Sequence, residues 1–373
     1  MEKIKKRLIV HACFIGAAIL FYVLYRLSFL VPGFIENIYS RGFFKIISQG
    51  LSTATGILPF SLGEFLLYGF CLYVIAFLIY TFIKLIVCPD KRFIRLLCRI
   101  VALIAVIANV FTAFVILWGF NYARQPLAAS MQLDIGPSKK EVLYAVCRSL
   151  VDEANALRRD LKQDDGVYIS GYTKLEAMQK VPELYVKVAQ ETNNEFFGGS
   201  YGMPKPVLAS EGLSYSGILG VYFPFTGEAN VNIDIPMLTF LAGACHEAAH
   251  QHGFAREDEA NFIAYYICHE SGDRDFQYSG DMLALLYASN ALYDADRGLY
   301  SELNTQYSDA LKKDLHDYSA YWDGFKGPTE EAVTAMNNTY LKANMQQDGV
   351  KSYGRMVDLL IAEYLKEHGP PVT

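Results

Sequence analysis

Positive charge is in short supply. The chain carries 33 Lys and Arg against 39 Asp and Glu, a formal charge of −6, so no basic domain is left to neutralise phosphates and nucleic acid is not an expected partner. Charge of either sign makes up only 19% of the 373 residues. Glycine-rich phosphate loops, internal repeats and low-complexity tracts are missing, and no nucleophile-elbow motif supports a Ser-His-Asp hydrolase. Cysteine is scattered rather than patterned. Cys13, Cys71, Cys88 and Cys98 fall in or near apolar runs, and Cys147, Cys245 and Cys268 fall elsewhere. An odd number in the polar part does not look like a disulfide scaffold. Cys245 and Cys268 lie at comparable distances from Gly253, so they could meet across two antiparallel helices.

Against that thin charge stands a 52% hydrophobic content and a mean hydropathy of +0.17, values that fit a membrane part fused to a soluble part. Three apolar runs are long enough to span a bilayer, at about 8–31, 62–87 and 100–120. Almost no paired charges lie inside them, which argues against a transporter or channel. Basic residues cluster before the first run (Lys3, Lys5, Lys6, Arg7) and between the second and third (Lys91, Arg92, Arg95, Arg99). Both clusters belong on the cytoplasmic side of the membrane, and an odd number of spans puts the C-terminal part outside. The intervening 32–61 stretch has Phe43, Phe44, Ile46 and Ile47 at helical spacing and reads as an external interfacial helix on the bilayer. The expected organisation is a membrane anchor over 1–124 and an extracytoplasmic domain over 125–373.

That domain reads as mostly α-helical, α+β overall. Helices are expected from Ser138 to about Leu161 and from Lys174 to Phe196, the second kinked near Pro182. Strand-like pattern is confined to 207–235, with a turn at Thr226-Gly-Glu228, and it forms a small antiparallel sheet just before a helix that starts after Pro236. Later helices are expected over 279–296, 302–322, 328–345 and 353–367.

The stretch from Ala244 to Asn261 carries the chemistry. It holds the only His-Glu-x-x-His, His246-Glu-Ala-Ala-His250. Residues four apart share a helix face, so both imidazoles can aim at one ion, and Glu247 can reach a water on its open side. Gly253 supplies a left-handed stop, and Glu257-Asp-Glu opens a second helix that returns beside the histidines. Glu257 is the expected third ligand; Glu259, Asp258 and His252 are rivals. A di-iron reading of Glu247 and His250 would need a second Glu-x-x-His, which the chain lacks.

Here the sequence resembles the gluzincin metallopeptidases, whose second helix carries a ligand Glu in a Glu-x-x-x-Asp or Asn pattern. The resemblance implies that Glu257 binds zinc and that Asn261 orients a histidine. The spacing departs from theirs, because the gluzincin Glu usually lies farther downstream. A metzincin third ligand would fall at Arg256, which cannot bind a metal. The three spans, Tyr222-Phe-Pro-Phe-Thr-Gly-Glu-Ala-Asn-Val-Asn232, the metal stretch and Asp348-Gly-Val-Lys-Ser-Tyr-Gly-Arg355 together resemble a bacterial membrane family catalogued as domain of unknown function 3810. That resemblance implies a zinc metallopeptidase-like domain.

The expected activity is hydrolysis of a peptide or protein substrate at the membrane surface, with Zn²⁺ on His246, His250 and Glu257 and with Glu247 as general base. Val221, Tyr222 and Phe223 would form an edge strand that pairs with substrate backbone. Tyr353 and Arg355 are candidate oxyanion donors. The lipid bilayer is the other partner. The alternative is a catalytically inactive zinc-binding protein, acting as a surface binding or structural module.

Overall fold

The computed structural model describes residues 2–87, 92–344 and 355–369. Three helices in it are long and apolar enough to cross a membrane: α1 (Glu2–Ser28), α3 (Leu62–Val87) and α4 (Arg92–Leu117). The second matches the expected run. The first and third begin earlier because their basic leading residues simply continue the helix. α1 and α4 pack along each other, with Ala105 and Ala108 letting the backbones approach.

All three meet the domain at one end. Tyr25 near the end of α1 donates to Asn344 Oδ1 at 3.2 Å. At the start of α3 the Leu62 and Gly63 amides donate to the Glu228 carboxylate at 3.1 and 2.7 Å. In return Glu64 accepts from the Leu208 and Ala209 amides. These contacts satisfy orphan amides at a helix N-terminus with an anion, the pairing its dipole favours. The basic ends of α1, α3 and α4 therefore lie on the far side from the domain.

The 32–61 stretch has two faces. It is π-helical over Ile35–Phe44 and continues as α2 (Lys45–Gly56). Phe34, Ile38, Ile46 and Ile57 are exposed, while Ile35, Tyr39, Phe44, Ser48 and Ser52 are buried. The buried face packs on the domain rather than on lipid. Ser48 donates to the Gln251 carbonyl at 2.8 Å, and the buried Lys205 donates to the Thr55, Gly56 and Leu58 carbonyls that end α2. Glu36 takes a two-pronged ion pair from Arg124, both bonds 2.8 Å, and Arg124 also donates to Gly253 O. This buried pair ties the segment to the turn after the His-Glu-x-x-His helix.

The domain core is helical. α5 (Lys140–Arg158) packs on α9 (Arg274–Ala295), while α6 (Lys174–Glu191), α8 (Glu257–His269) and α9 pack around α7 (Met237–Gln251), whose Phe240, Leu241, Ala244, Cys245 and Ala249 are fully buried. α6 runs unbroken through Pro182 and stops at Glu191. The expected 302–322 helix is two: α10 (Arg297–Asn304) and α11 (Asp309–Asp323), the latter started by Ser308, whose hydroxyl accepts from the Leu311 amide. α12 (Pro328–Ala343) and α13 (Arg355–His368) follow. A small hairpin joins β1 (Gln163–Asp164) and β2 (Val167–Tyr168). The main sheet has the order β3-β5-β4, with β3 at Lys205–Pro206, β4 at Gly220–Phe223 and β5 at Glu228–Val231. β4 and β5 pair antiparallel through the expected turn, where Gly227 sits at φ +67°. β3 adds in parallel, so the sheet is mixed rather than purely antiparallel. β4 is an edge strand.

Candidate metal centre

α7 ends at Gln251, and Gly253, at φ +85°, turns the chain into α8. A side chain at Gly253 would meet the Phe44 ring at 2.9 Å, so both the backbone conformation and the packing require glycine. The turn brings the first residue of α8 back to α7. Ligand atoms of His246, His250 and Glu257 lie within 4.8 Å of one another. The Glu257 oxygens stand 3.3 Å from His246 Nε2 and 3.7 Å from His250 Nε2. Ligands about 2.05 Å from a tetrahedral Zn²⁺ are roughly 3.3 Å apart, so the spacing suits such an ion.

The second layer also fits. His250 Nδ1 donates to the Phe254 carbonyl at 2.6 Å, which leaves the Nε2 lone pair facing Glu257. Burial pushes His250 down to about 4, so it is neutral at physiological pH, as a ligand must be. Burial also opposes charge on His246, but the Glu257 hydrogen bond and charge outweigh it, and its pKa lies above the ordinary value. Burial would raise Glu257, yet the two histidines hold it low. The His246–Glu257 contact thus stands where a cation would be held. Asn261 is buried beside His246 and favours its charged form. His246 and Glu257 keep 13% and 20% of their side-chain surface exposed, so the cluster has an open side.

Glu247 lies deeper. It is 3% exposed, its Oε2 has no partner among the described residues, and burial pushes its carboxyl up to about 8. It lies directly against the backbone of the edge strand: a Cβ built on Gly220 would sit 2.5 Å from Glu247 Cγ. Along β4, Val221 is exposed, Tyr222 is buried against Trp118 with ring centroids 4.6 Å apart, and Phe223 packs over Gly63. Of the three residues expected to pair with substrate backbone, only Val221 turns its side chain outward.

The rival ligands point elsewhere. Glu259 Oε1 accepts from the Leu127 amide at 2.8 Å and from Arg256 at 2.9 Å. His252 Nδ1 donates to the Ala248 carbonyl, and its ring stacks on Tyr185 at 4.3 Å. Cys245 and Cys268 do meet, as free thiols with sulfurs 3.6 Å apart. Arg355 pairs with Asp258 at 3.6 Å, lining a cavity of about 380 Å³ with Tyr122, Asp258 and Asn344. The ligand histidines do not line that cavity, so Arg355 is brought beside the acidic start of α8 rather than onto the three-ligand cluster. Tyr353 lies outside the described residues.

Aromatic residues absent from the expected set wall the centre. The Trp118 ring stands edge-on to His250 at 5.8 Å. Tyr122 and Tyr340 share a hydrogen bond of 2.9 Å between their hydroxyls, and both lie close enough to Glu257 for its charge to act on them. Burial raises both phenols, Tyr340 to about 12, so both keep their protons at neutral pH. One shared bond between two hydroxyls leaves a proton free to donate. No sequence signal links positions 218 residues apart. Gly220 was more legible, since glycine inside a strand often marks a close approach.

A family model described as "Protein of unknown function (DUF3810)" matches residues 39–361 of the chain. No curated protein and no solved structure matches it.

Proposed function

The chain belongs to the DUF3810 family, and we propose that this member is a membrane-anchored zinc-dependent peptidase. The observation that carries the reading is the convergence of His246, His250 and Glu257 within 4.8 Å, beside a buried carboxylate with a free oxygen, Glu247. Zn²⁺ held by those three residues would supply Lewis acidity, polarising a peptide carbonyl and acidifying water.

The chain's own residues do the rest. Glu247 takes the proton of the attacking water and passes it to the leaving amine. Its raised pKa suits that second transfer, and a neighbouring cation would favour its ionised form for the first. The free hydroxyl proton of the Tyr122–Tyr340 pair is the donor for the oxyanion. The outer edge of β4 offers backbone groups next to Glu247, where an extended peptide can add as a strand. Asn261 holds the His246 ring. The basic far ends of the membrane helices favour a cytoplasmic location, which supports reading the centre as facing the outside of a bacterial cell membrane, within reach of peptides at its surface.

Glu247→Gln tests the reading. The full chain in detergent keeps its zinc, and cleavage of a quenched fluorogenic peptide mixture falls about 10²- to 10⁴-fold, the range of a general base. Wild-type activity in that variant would refute the mechanism. Zinc bound with no cleavage by the wild-type chain would favour the inactive-module alternative.

A further inference from the structure

A second group of ligating side chains lies at the other end of α8. His269 Nδ1 is 2.9 Å from Asp281 Oδ1 and 3.7 Å from Glu153 Oε2, and one ligand atom from each of the three falls within 4.8 Å of the others. Four helices meet there: α5 brings Glu153, α8 brings His269 and Tyr265, α9 brings Asp281, and α13 brings Glu363 and Glu367. Ser149 donates to Glu153 at 2.9 Å, and Gln277 holds the His269 carbonyl at 2.9 Å.

Charge does not balance in this pocket. Asp281 is 1% exposed and Glu363 8% exposed. Glu363 lies near enough for the charges of Glu367, His269 and Glu153 to act on it and has no hydrogen-bond or ion-pair partner among the described residues. His269 and, from the exposed end of α13, His368 can neutralise at most two carboxylates, whereas Glu153, Asp281 and Glu363 present three. Burying such an excess of negative charge is costly unless protons or a cation compensate. His269 and Glu153 keep 32% and 39% of their side-chain surface exposed, which gives an ion a way in.

We propose that His269, Asp281, Glu153 and Glu363 form a second divalent-cation site. One imidazole among carboxylates suits a transition metal such as Zn²⁺ or Mn²⁺ better than Ca²⁺, which takes oxygen ligands alone. The ion takes the place of the proton between His269 and Asp281. It lies roughly 18 Å along α8 from Glu257, at 1.5 Å per residue, so it is separate from the first centre. Its role is structural. It clamps the C-terminal end of the helix whose first residue is the ligand Glu257, and so fixes that ligand's approach to α7.

Metal analysis of the purified full chain, stripped with chelator and reloaded with Zn²⁺ or Mn²⁺, tests the site. Two ions per chain are expected in the wild type, one in the His246→Ala/His250→Ala double variant and one in Asp281→Asn. One ion in the wild type that the double variant loses and Asp281→Asn keeps would overturn this second site and leave the first intact. One ion with the reverse pattern would keep the second and remove the first. If Asp281→Asn does not fold, Glu363→Gln leaves the His269–Asp281 pair in place. In the double-variant background, reloading should raise the unfolding midpoint by roughly 4 °C or more, and adding Glu363→Gln should at least halve that gain. No gain in the double variant would overturn the proposal.

Discussion

Gly220 gives the sharpest test of the candidate centre, because its importance is purely steric. It lies in β4 opposite Val231, and its φ is not in the left-handed region, so alanine meets no backbone obstacle. A Cβ there would nevertheless sit 2.5 Å from Glu247 Cγ, 2.6 Å from Glu247 Cδ and 2.6 Å from the Asn230 carbonyl oxygen. Ordinary carbon contacts are about 3.5–4.0 Å, so Gly220→Ala imposes an overlap of about 1 Å. The Asn230 carbonyl belongs to a fully buried strand and cannot retreat. Glu247 must move, or β4 must lift from β5. Overpacking of this kind costs about 1–3 kcal/mol, or a drop of roughly 3–10 °C in the unfolding midpoint of a domain this size. Moving a general base by about 1 Å costs about 10²-fold in rate. The three candidate ligands are not touched, so the content of the proposed zinc should hold. Thermal melting, metal analysis and peptide cleavage on the same preparation give all three readouts. Gly212→Ala, with nothing within 4 Å of its added Cβ, is the silent control. A Gly220→Ala chain that melts and cleaves like wild type would show that the edge strand does not press on Glu247.

Glu257→Gln should lose the proposed ion. Glu259→Gln should keep it and lose about 1–3 kcal/mol of stability, because the Leu127 amide and Arg256 lose a charged acceptor; metal analysis beside denaturant unfolding separates the two. Tyr340→Phe should lower kcat about 10²-fold with zinc retained if its hydroxyl supplies the oxyanion donor, and an unchanged kcat would shift that role to Tyr122. Glu36→Ala should cost about 3–5 kcal/mol by stranding the buried Arg124. Burial alone would raise the Glu36 carboxyl, but the Arg124 and Arg41 bonds win and hold it below its ordinary value. Its stability contribution is therefore fully present above the unfolded value near ~4.3 and lost as pH falls through the lower folded value. A wild-type unfolding curve measured against pH should show that loss, and the Glu36→Ala curve should be flatter over the same range.

What the sequence determined by itself was whatever depends on neighbours along the chain. Apolar runs of membrane length need no partner to be recognised, and Leu62–Val87 was read to the residue. The i, i+4 spacing of His246 and His250, the glycine stop and the acidic start of α8 are likewise local, and local geometry alone returns Glu257 to the histidines. The same arithmetic about Gly253 brought Cys245 and Cys268 together. Local rules failed where tertiary packing could overrule a weak preference. α6 passes through Pro182 because its buried face, from Ala177 to Ala189, holds it together across one missing hydrogen bond, and Ser308 caps the start of a new helix where periodicity would have run a single one through. Only the tertiary structure decided what stands around the metal ligands. The Trp118 edge on His250, the Tyr122–Tyr340 pair, the Gly220 backbone against Glu247 and the Arg124–Glu36 tie all join residues far apart in the chain. Such contacts depend on how helices and strands are placed against one another by burial, and pairwise spacing in a single sequence carries no record of that placement.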